Sequence, residues 1–350
     1  MCEHLKDRLM KELLDTLEEK VHLVRGANTV YSDASLFITL VWAGINKISL
    51  EESAEQLREL GYHVPSGDTV LHHLSHQPYH LLEKGFHKVS DSLIARAAPL
   101  FNEPVTVALD VNLLEWYGEE LPFIIKSQPR KGTNTFIGFA TIAVVENGKR
   151  FTLKVVPVTP LSHKKELVKE LLNYAMMFVD IKVVLMDRGF YSGDIISLLY
   201  NWVPFIMPAV NNQKVTRYKN QAVERGGDIP YEMSDGTSYR MVVVEENDTV
   251  HPFATNTTYS PGSIFALYKN RFGIETQYRI KNKFLGRTCS REYSVRYFFF
   301  MVAICIYNLW VLLNIVERGR EGLDPQKIPI KVDRIIYLVR KVIFFNAPSG

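Results

Sequence analysis

Cysteine is scarce in this chain. Cys2, Cys289 and Cys305 are the only three in 350 residues, and they form neither a CxxC pair nor an even, closely spaced set. That excludes a disulfide-stapled scaffold and a cysteine-ligated zinc module, and it suits a reducing cytosol. Internal repeats and low-complexity tracts are lacking too, which excludes a solenoid or a compositionally disordered chain. The first 20 residues alternate charges on a helical pattern and lack the apolar centre of a signal peptide. Net charge is small, +3, and by itself points to no partner. Long apolar runs are few, and the longest stretch without a charged residue is the 20 positions 297–316. Its length matches a bilayer. Yet Asn308 and Asn314 interrupt it and arginines flank both ends, so a buried core helix is expected instead.

What is present is ordinary in amount but uneven in placement. Apolar residues make up 47% and charged residues 23%, values of a folded protein, and 350 residues suit two or three domains. Between Tyr268 and Arg296, eight Lys/Arg face two acids, Glu275 and Glu292, a local excess of +6 that suits phosphate contacts. The segment 268–283 reads YKNRFGIETQYRIKNK, and on a helix Tyr268, Arg271, Glu275, Arg279 and Asn282 share one face. A solvated face interleaves acids with bases to form i,i+4 pairs. One carboxylate among arginines points instead to a metal-binding acid facing a polyanion, provided other carboxylates share the metal.

Residues 1–25 read as a helix with Leu5, Leu9, Leu13, Leu17 and Val21 at steps of four, and 35–44 as a second, apolar one. Ser49 with Glu52 forms a capping box that opens a helix ending at Gly61, and Pro65-Ser66 opens another over 67–75. This pair has the proportions of a helix-turn-helix or of an ordinary αα-hairpin, with Arg58, His72 and His73 as the available DNA contacts. His72, His76 and His80 have i,i+4 spacing, but Pro78 breaks the helix between them, which favours surface or core histidines over a zinc site. From Glu103 the pattern turns to strands over 105–110, 136–145 and 150–158, the last two joined by an Asn-Gly turn. A helix over 164–178, a strand over 181–186, a helix over 192–200 and a strand over 203–207 follow. Residues 210–258 are polar, with alternation around 239–244 and 251–255, and read as a β-rich insertion; Pro261 starts the helix that carries Glu275. The expected divisions are 1–100, a helical DNA-binding or assembly domain; 101–209 and 259–318, the two parts of an α/β core; 210–258, the insertion; and 319–350, a basic helical tail.

Asp110 and Asp187 each follow an apolar strand, the place where open α/β sheets present ligand groups. A single acid there is commonly a helix cap or turn residue. Two of them with the helical Glu275 supply the hard oxygen ligands that Mg2+ or Mn2+ prefers, and paired ions of this kind suit phosphoryl displacement. Asp110, then Asp187-Arg188-Gly189-Phe190-Tyr191, then Tyr268-x2-Arg271-x3-Glu275 together resemble the DDE transposases of bacterial and archaeal insertion sequences. The branch with a Tyr-x2-Arg-x3-Glu-x6-Lys signature is the most similar. The resemblance covers about residues 103–315, with an Asp–Asp spacing of 77 and an Asp–Glu spacing of 88. It takes in Phe253-Ala254-Thr255-Asn256 before the Glu helix and Tyr307-Asn308-Leu309-Trp310 after it.

The resemblance implies an α/β, RNase H-like mixed sheet flanked by helices, with the strands of the first two acids side by side. It implies that Asp110, Asp187 and Glu275 are the catalytic residues and ligate Mg2+ or Mn2+, two ions in all. The activity it implies is cleavage of double-stranded DNA at the transposon ends and attack of the new 3′-OH on target DNA, by a homodimer on DNA. Such a protein works in the cytoplasm at the nucleoid, with no membrane partner. Tyr268 and Arg271 would hold the DNA end, with Arg188, Arg279, Lys281 and Lys283 adding positive charge. The signature lysine falls on Asn282. Lys283, about 80° from Glu275 on an ideal helix, is preferred as its substitute over Lys281 at about 120°, and Arg279 is a third candidate. Lys126, Arg130 and Lys131, in a loop reading KSQPRKG, either extend the DNA track or are solvated. Trp116 and Tyr117 either stack on a displaced base or belong to the core. The alternative function is a domesticated derivative that binds DNA without cutting it. Asn282 favours that alternative, and the three acids oppose it.

Overall fold

The computed structural model describes residues 2–24, 26, 29–101, 103–247 and 249–345. They fall into two units, one made of Met1–Leu100 with Gln277–Gly350 and the other of Phe101–Thr276.

The first unit opens with α1 (Cys2–Lys20), α2 (Asp33–Asn46), α3 (Leu50–Glu59), α4 (Gly67–Ser75) and α5 (Tyr79–Ala97). Ser32, Ser49 and Ser66 cap three of them by accepting the N–H of Ser35, Glu52 and Thr69. Leu13, Leu17 and Val21 are buried as the four-residue spacing requires, while the side chains of Leu5 and Leu9 lie outside the described residues.

The second unit is built on β1 (Val105–Glu115), β2 (Ile125–Arg130), β3 (Thr133–Val144), β4 (Phe151–Val158), β5 (Ile181–Met186), β6 (Phe205–Pro208), β7 (Asp228–Glu232), β8 (Ser238–Glu246) and β9 (Thr249–Thr255). These strands form one mixed sheet of order β2-β3-β1-β5-β6-β9-β8-β7, with β4 paired to β3. β1, β3 and β4 run antiparallel, while β5 and β6 run parallel to β1. Helices α6 (Lys164–Met176) and α7 (Gly193–Tyr200) provide the parallel crossovers that β5 and β6 need. This is the RNase H-like arrangement that the resemblance implied, with the strands of the first two acids adjacent.

Three local expectations are corrected. The loop holding Lys126 and Arg130 is strand β2, paired to β3, with Lys131 at its turn in a left-handed conformation (φ 47°). Residues 210–258 contain a helix, α8 (Gln213–Glu224), and are not a separate module, because β9 pairs with β6 and continues the main sheet. The helix entering at Pro261 is broken. α9 (Pro261–Lys269) passes into α10 (Phe272–Lys281) through i→i−3 turns, Arg271 N–H to Tyr268 O and Gly273 N–H to Asn270 O.

Gly227, three residues past the end of α8, has φ +88°, and a Cβ there would lie 2.8 Å from the carbonyl oxygen of Val243. Gly227→Ala is therefore expected to cost about 1–3 kcal/mol, read as a lower urea midpoint with an unchanged m-value.

The chain closes with α11 (Tyr293–Glu321) and α12 (Val332–Phe345) in the first unit. α11 is long and apolar enough to cross a membrane, but 94% of its most apolar window is buried inside the structure. Its polar residues have internal work. The Asn314 amide donates to Trp310 O and Ile330 O and accepts from Ile330 N–H, while Trp310 Nε1 donates to Ile330 O. A lipid-facing helix has no use for such a staple, whereas a core helix anchoring the following loop does.

Candidate active site

β1 and β5 bring the first two acids together. Leu109 pairs with Met186 in the parallel ladder, so Asp110 and Asp187 are the next residues along neighbouring strands. Side chains in register on adjacent strands share a face of the sheet. Asp110 does not end its strand, as the reading of 105–110 had it. β1 continues to Glu115 because β3 pairs with it that far, through Glu115 opposite Phe136. What stops beside Asp110 is β5, whose last residue is Met186.

Asp187 caps a short 3-10 turn, Arg188–Phe190, its Oδ1 accepting the Gly189 N–H at 2.8 Å. Glycine at 189 leaves this carboxylate room, since a Cβ there would stand 3.0 Å from Oδ1. The Lys164 ammonium donates to the Gly189 carbonyl at 2.6 Å and fixes the same turn from α6. No sequence signal marks Lys164; its relation to Asp187 comes from the α6–β5 crossover.

The third acid enters from α10. Glu275 Oε1 accepts from the Arg271 guanidinium at 2.7 Å, the i,i+4 pair that the helix break leaves intact. Arg271 is buried, with its guanidinium 5.7 Å from the Tyr268 ring centre and 5.0 Å from that of Phe272. Its Nε finds no hydrogen-bond partner among the described residues. Tyr268 is held in turn by an edge-on contact with Phe253 at 5.0 Å.

The groups share one electrostatic environment. Burial, then the neighbouring Asp187 and, more weakly, Glu275 push the Asp110 carboxyl up to about 7, against the opposing pull of Arg271 and the Val111 N–H. Burial pushes the Tyr268 hydroxyl up to about 12, with Arg271 opposing and Asp187 and Glu275 assisting. Burial disfavours charge on Arg271, yet Tyr268, Glu275 and Asp110 together hold its pKa above the usual value. Three carboxylates, one guanidinium and one phenol thus act on a common point.

Among the described residues, no three His, Cys, Asp or Glu side chains stand close enough together to hold an ion as they are. Asp187 is turned to Gly189 and Glu275 to Arg271. The donor chemistry nevertheless fits a hard dication: every candidate ligand is a carboxylate, and the burial and like-charge repulsion that push Asp110 up to about 7 are what such an ion offsets. The histidines make a poorer set. The His72 and His76 rings lie 4.4 Å apart at a tilt of 47°, and His76 Nδ1 lies 2.8 Å from the His72 carbonyl oxygen.

The expected DNA contacts are unevenly available. Arg188, Arg279 and Lys283 are exposed. Lys281 is buried, with its ammonium 3.8 Å above the Phe300 ring centre and no hydrogen-bond partner among the described residues. Burial, then nearby Lys47, drives its pKa well below the usual lysine value, so it offers no DNA contact in this conformation. Lys126 and Lys131 are exposed but paired, with Glu120 at 2.7 Å and Glu115 at 2.9 Å, and Arg130 lies 5.9 Å from the Phe136 ring centre. Trp116 is core, its Nε1 donating to Glu119 O at 2.7 Å, whereas Tyr117 is exposed.

No curated protein matches the sequence. Among solved structures, the cryo-EM structure of the piggyBac transposase synaptic complex with hairpin DNA aligns with a TM-score of 0.64 over 99% of this chain and 82% of that one. At 12% identity that likeness speaks to the fold. The model of the transposase DDE domain family matches residues 102–309, more than half of the chain and including Asp110, Asp187 and Glu275, and the chain belongs to that family.

Proposed function

We propose that the protein is a cut-and-paste transposase that binds the terminal inverted repeats of its own element, cuts the DNA there and joins the freed 3′ ends to target DNA. The observation that carries this reading is the register of β1 and β5, which places Asp110 and Asp187 side by side under the influence of Glu275. Asp110, Asp187 and Glu275 would hold the divalent ions, Mg2+ or Mn2+, that this family generally uses. Bound there, such ions activate a nucleophile and stabilise a leaving oxygen in phosphoryl displacement.

The chain's own residues do the rest. Lys164 and Gly189 hold the Asp187 turn in place. Arg271 keeps Glu275 neutralised until DNA arrives, then turns its planar donors to a phosphate, a bidentate contact suited to the DNA end. Tyr268 lines the same point, and Arg188 adds exposed charge. Of the lysines flanking Asn282, exposed Lys283 takes the signature lysine's part, with Arg279 beside it. Lys126, Arg130 and Lys131 reach DNA only by exchanging their present partners. The α3–α4 pair offers a second DNA contact. Two ends must be joined in one reaction, which favours a homodimer on DNA, and the solved synaptic complex of the piggyBac transposase supports duplex DNA as partner. The reducing cytosol is the expected compartment.

A donor plasmid bearing the gene with its flanking sequence tests this reading. Incubation with the full chain and Mg2+ is expected to release a linear fragment ending at the flanking repeats. An intact plasmid with the repeats nonetheless bound would replace it with the binding-only alternative.

A further inference from the structure

Helix α8, which the alternation of 210–258 concealed, has an unusual solvent face. At 100° per residue Gln213, Arg217, Asn220, Gln221 and Glu224 fall within an arc of about 100°, and all five are exposed. The side chains of Gln213, Arg217, Asn220 and Gln221 make no hydrogen bond or ion pair with any described residue. A solvated helix normally matches its bases to acids at i,i+4. Here the positions four before and four after Arg217 are both glutamine, and Glu224 is the helix's one acid against Lys214, Arg217 and Lys219.

The helix is rigidly mounted. Val215 and Ala222 are fully buried, Tyr218 packs on Tyr231 at 4.9 Å, and Lys214 donates to Glu232 O beneath it. Asn212 caps the start by accepting the Val215 N–H at 2.8 Å, and Gly227 ties the end to β8 through Val243 N–H at 2.8 Å. A fixed helix offering one guanidinium, three amides and one carboxylate to solvent has the chemistry of base-edge readout. Arginine pairs with guanine O6 and N7, asparagine and glutamine with adenine N6 and N7, and glutamate with cytosine N4, and the major groove admits a helix of this width. Amides add nothing to the attraction of an acidic protein surface, so their company with Arg217 favours DNA.

We propose that α8 is a sequence-reading element that lies in the major groove of the element's terminal repeat, with Arg217, Asn220 and Gln221 contacting base edges. Arg225, exposed at the C-terminal end beside this face, supplies a phosphate contact. The proposal rests on the reading of the protein as an end-binding transposase and names where the end is recognised.

The test measures binding of the full chain, over one salt series for both, to a duplex carrying the flanking repeat and to a scrambled duplex of equal composition. Wild type should prefer the repeat. Arg217→Ala should cut that preference by about 5- to 150-fold with little change on the scrambled duplex, and Asn220→Ala should act similarly. Methylation of one guanine N7 should weaken binding of wild type and not of Arg217→Ala. An unchanged preference, or an equal loss on both duplexes with a salt slope lower by about one, overturns base readout by α8. A wild type without preference for the repeat overturns end recognition itself, so the two failures are told apart.

Discussion

Replacing Asp110 with asparagine should abolish DNA cleavage and, in the metal-free protein, raise stability. The two effects share one cause. Asp110 carries a folded-state pKa of about 7 against an ordinary 3.8, because burial and then Asp187 disfavour its charge. A carboxyl raised in this way contributes stability that is complete below its unfolded pKa and lost as pH climbs through the folded one. Between about pH 4 and pH 7 the metal-free protein therefore loses stability on this group's account. A three-unit shift corresponds to at most about 4 kcal/mol, and solvent screening of this partly exposed carboxyl reduces it to about 1–3 kcal/mol. Asp110→Asn removes the penalty without changing size. Melting in EDTA at pH 8 should show the variant a few degrees above wild type, with the gap closing toward pH 5. A variant less stable than wild type at pH 8 would mean that Asp110 is not held against ionisation.

Removal of Arg271 should have the opposite effect on stability. The guanidinium is buried, paired with Glu275 at 2.7 Å and flanked by Tyr268 and Phe272. Arg271→Ala leaves Asp110, Asp187 and Glu275 without the cation that offsets them, so the Asp110 pKa should climb further. Breaking one partner of a buried pair typically costs about 3–5 kcal/mol, and the exposure of Glu275 places the loss toward the low end. Arg271→Lys should recover part of the stability but not the planar contact to phosphate. If Arg271 also holds the DNA end, the salt slope of binding should fall by about one in Arg271→Ala and stay near wild type in Arg271→Lys. A slope unchanged in Arg271→Ala would make its role purely structural.

The parts of this molecule that the sequence disclosed are those where one local signal dominates. Serine caps at 49 and 66, the Asn-Gly turn after β3 and the apolar run 181–186 each specify their element without help from distant residues. The acids were legible through their order and surroundings. What remained hidden depends on pairing between distant segments. Asp110 lies inside a strand because β3 continues alongside it, and nothing in residues 105–115 alone says so. The break at Asn270–Arg271 cuts across a helical pattern that reads as continuous. α8 buries few side chains, Val215 and Ala222 with Tyr218 partly covered, too faint a stripe to stand out among polar neighbours, although Asn212 three residues before Val215 was a capping signal. Lys281 shows the converse: a basic residue in a basic segment that packing has taken out of solvent.

Cleavage by Asp187→Asn tests the central claim most directly. The substitution preserves size and keeps an oxygen for the Gly189 N–H, so the turn should persist. With Mg2+ and a duplex carrying the flanking repeat, wild type should cut at the repeat's end, whereas Asp187→Asn should bind the duplex with nearly unchanged affinity and cut nothing. Cleavage retained by Asp187→Asn would contradict the assignment of the carboxylate site.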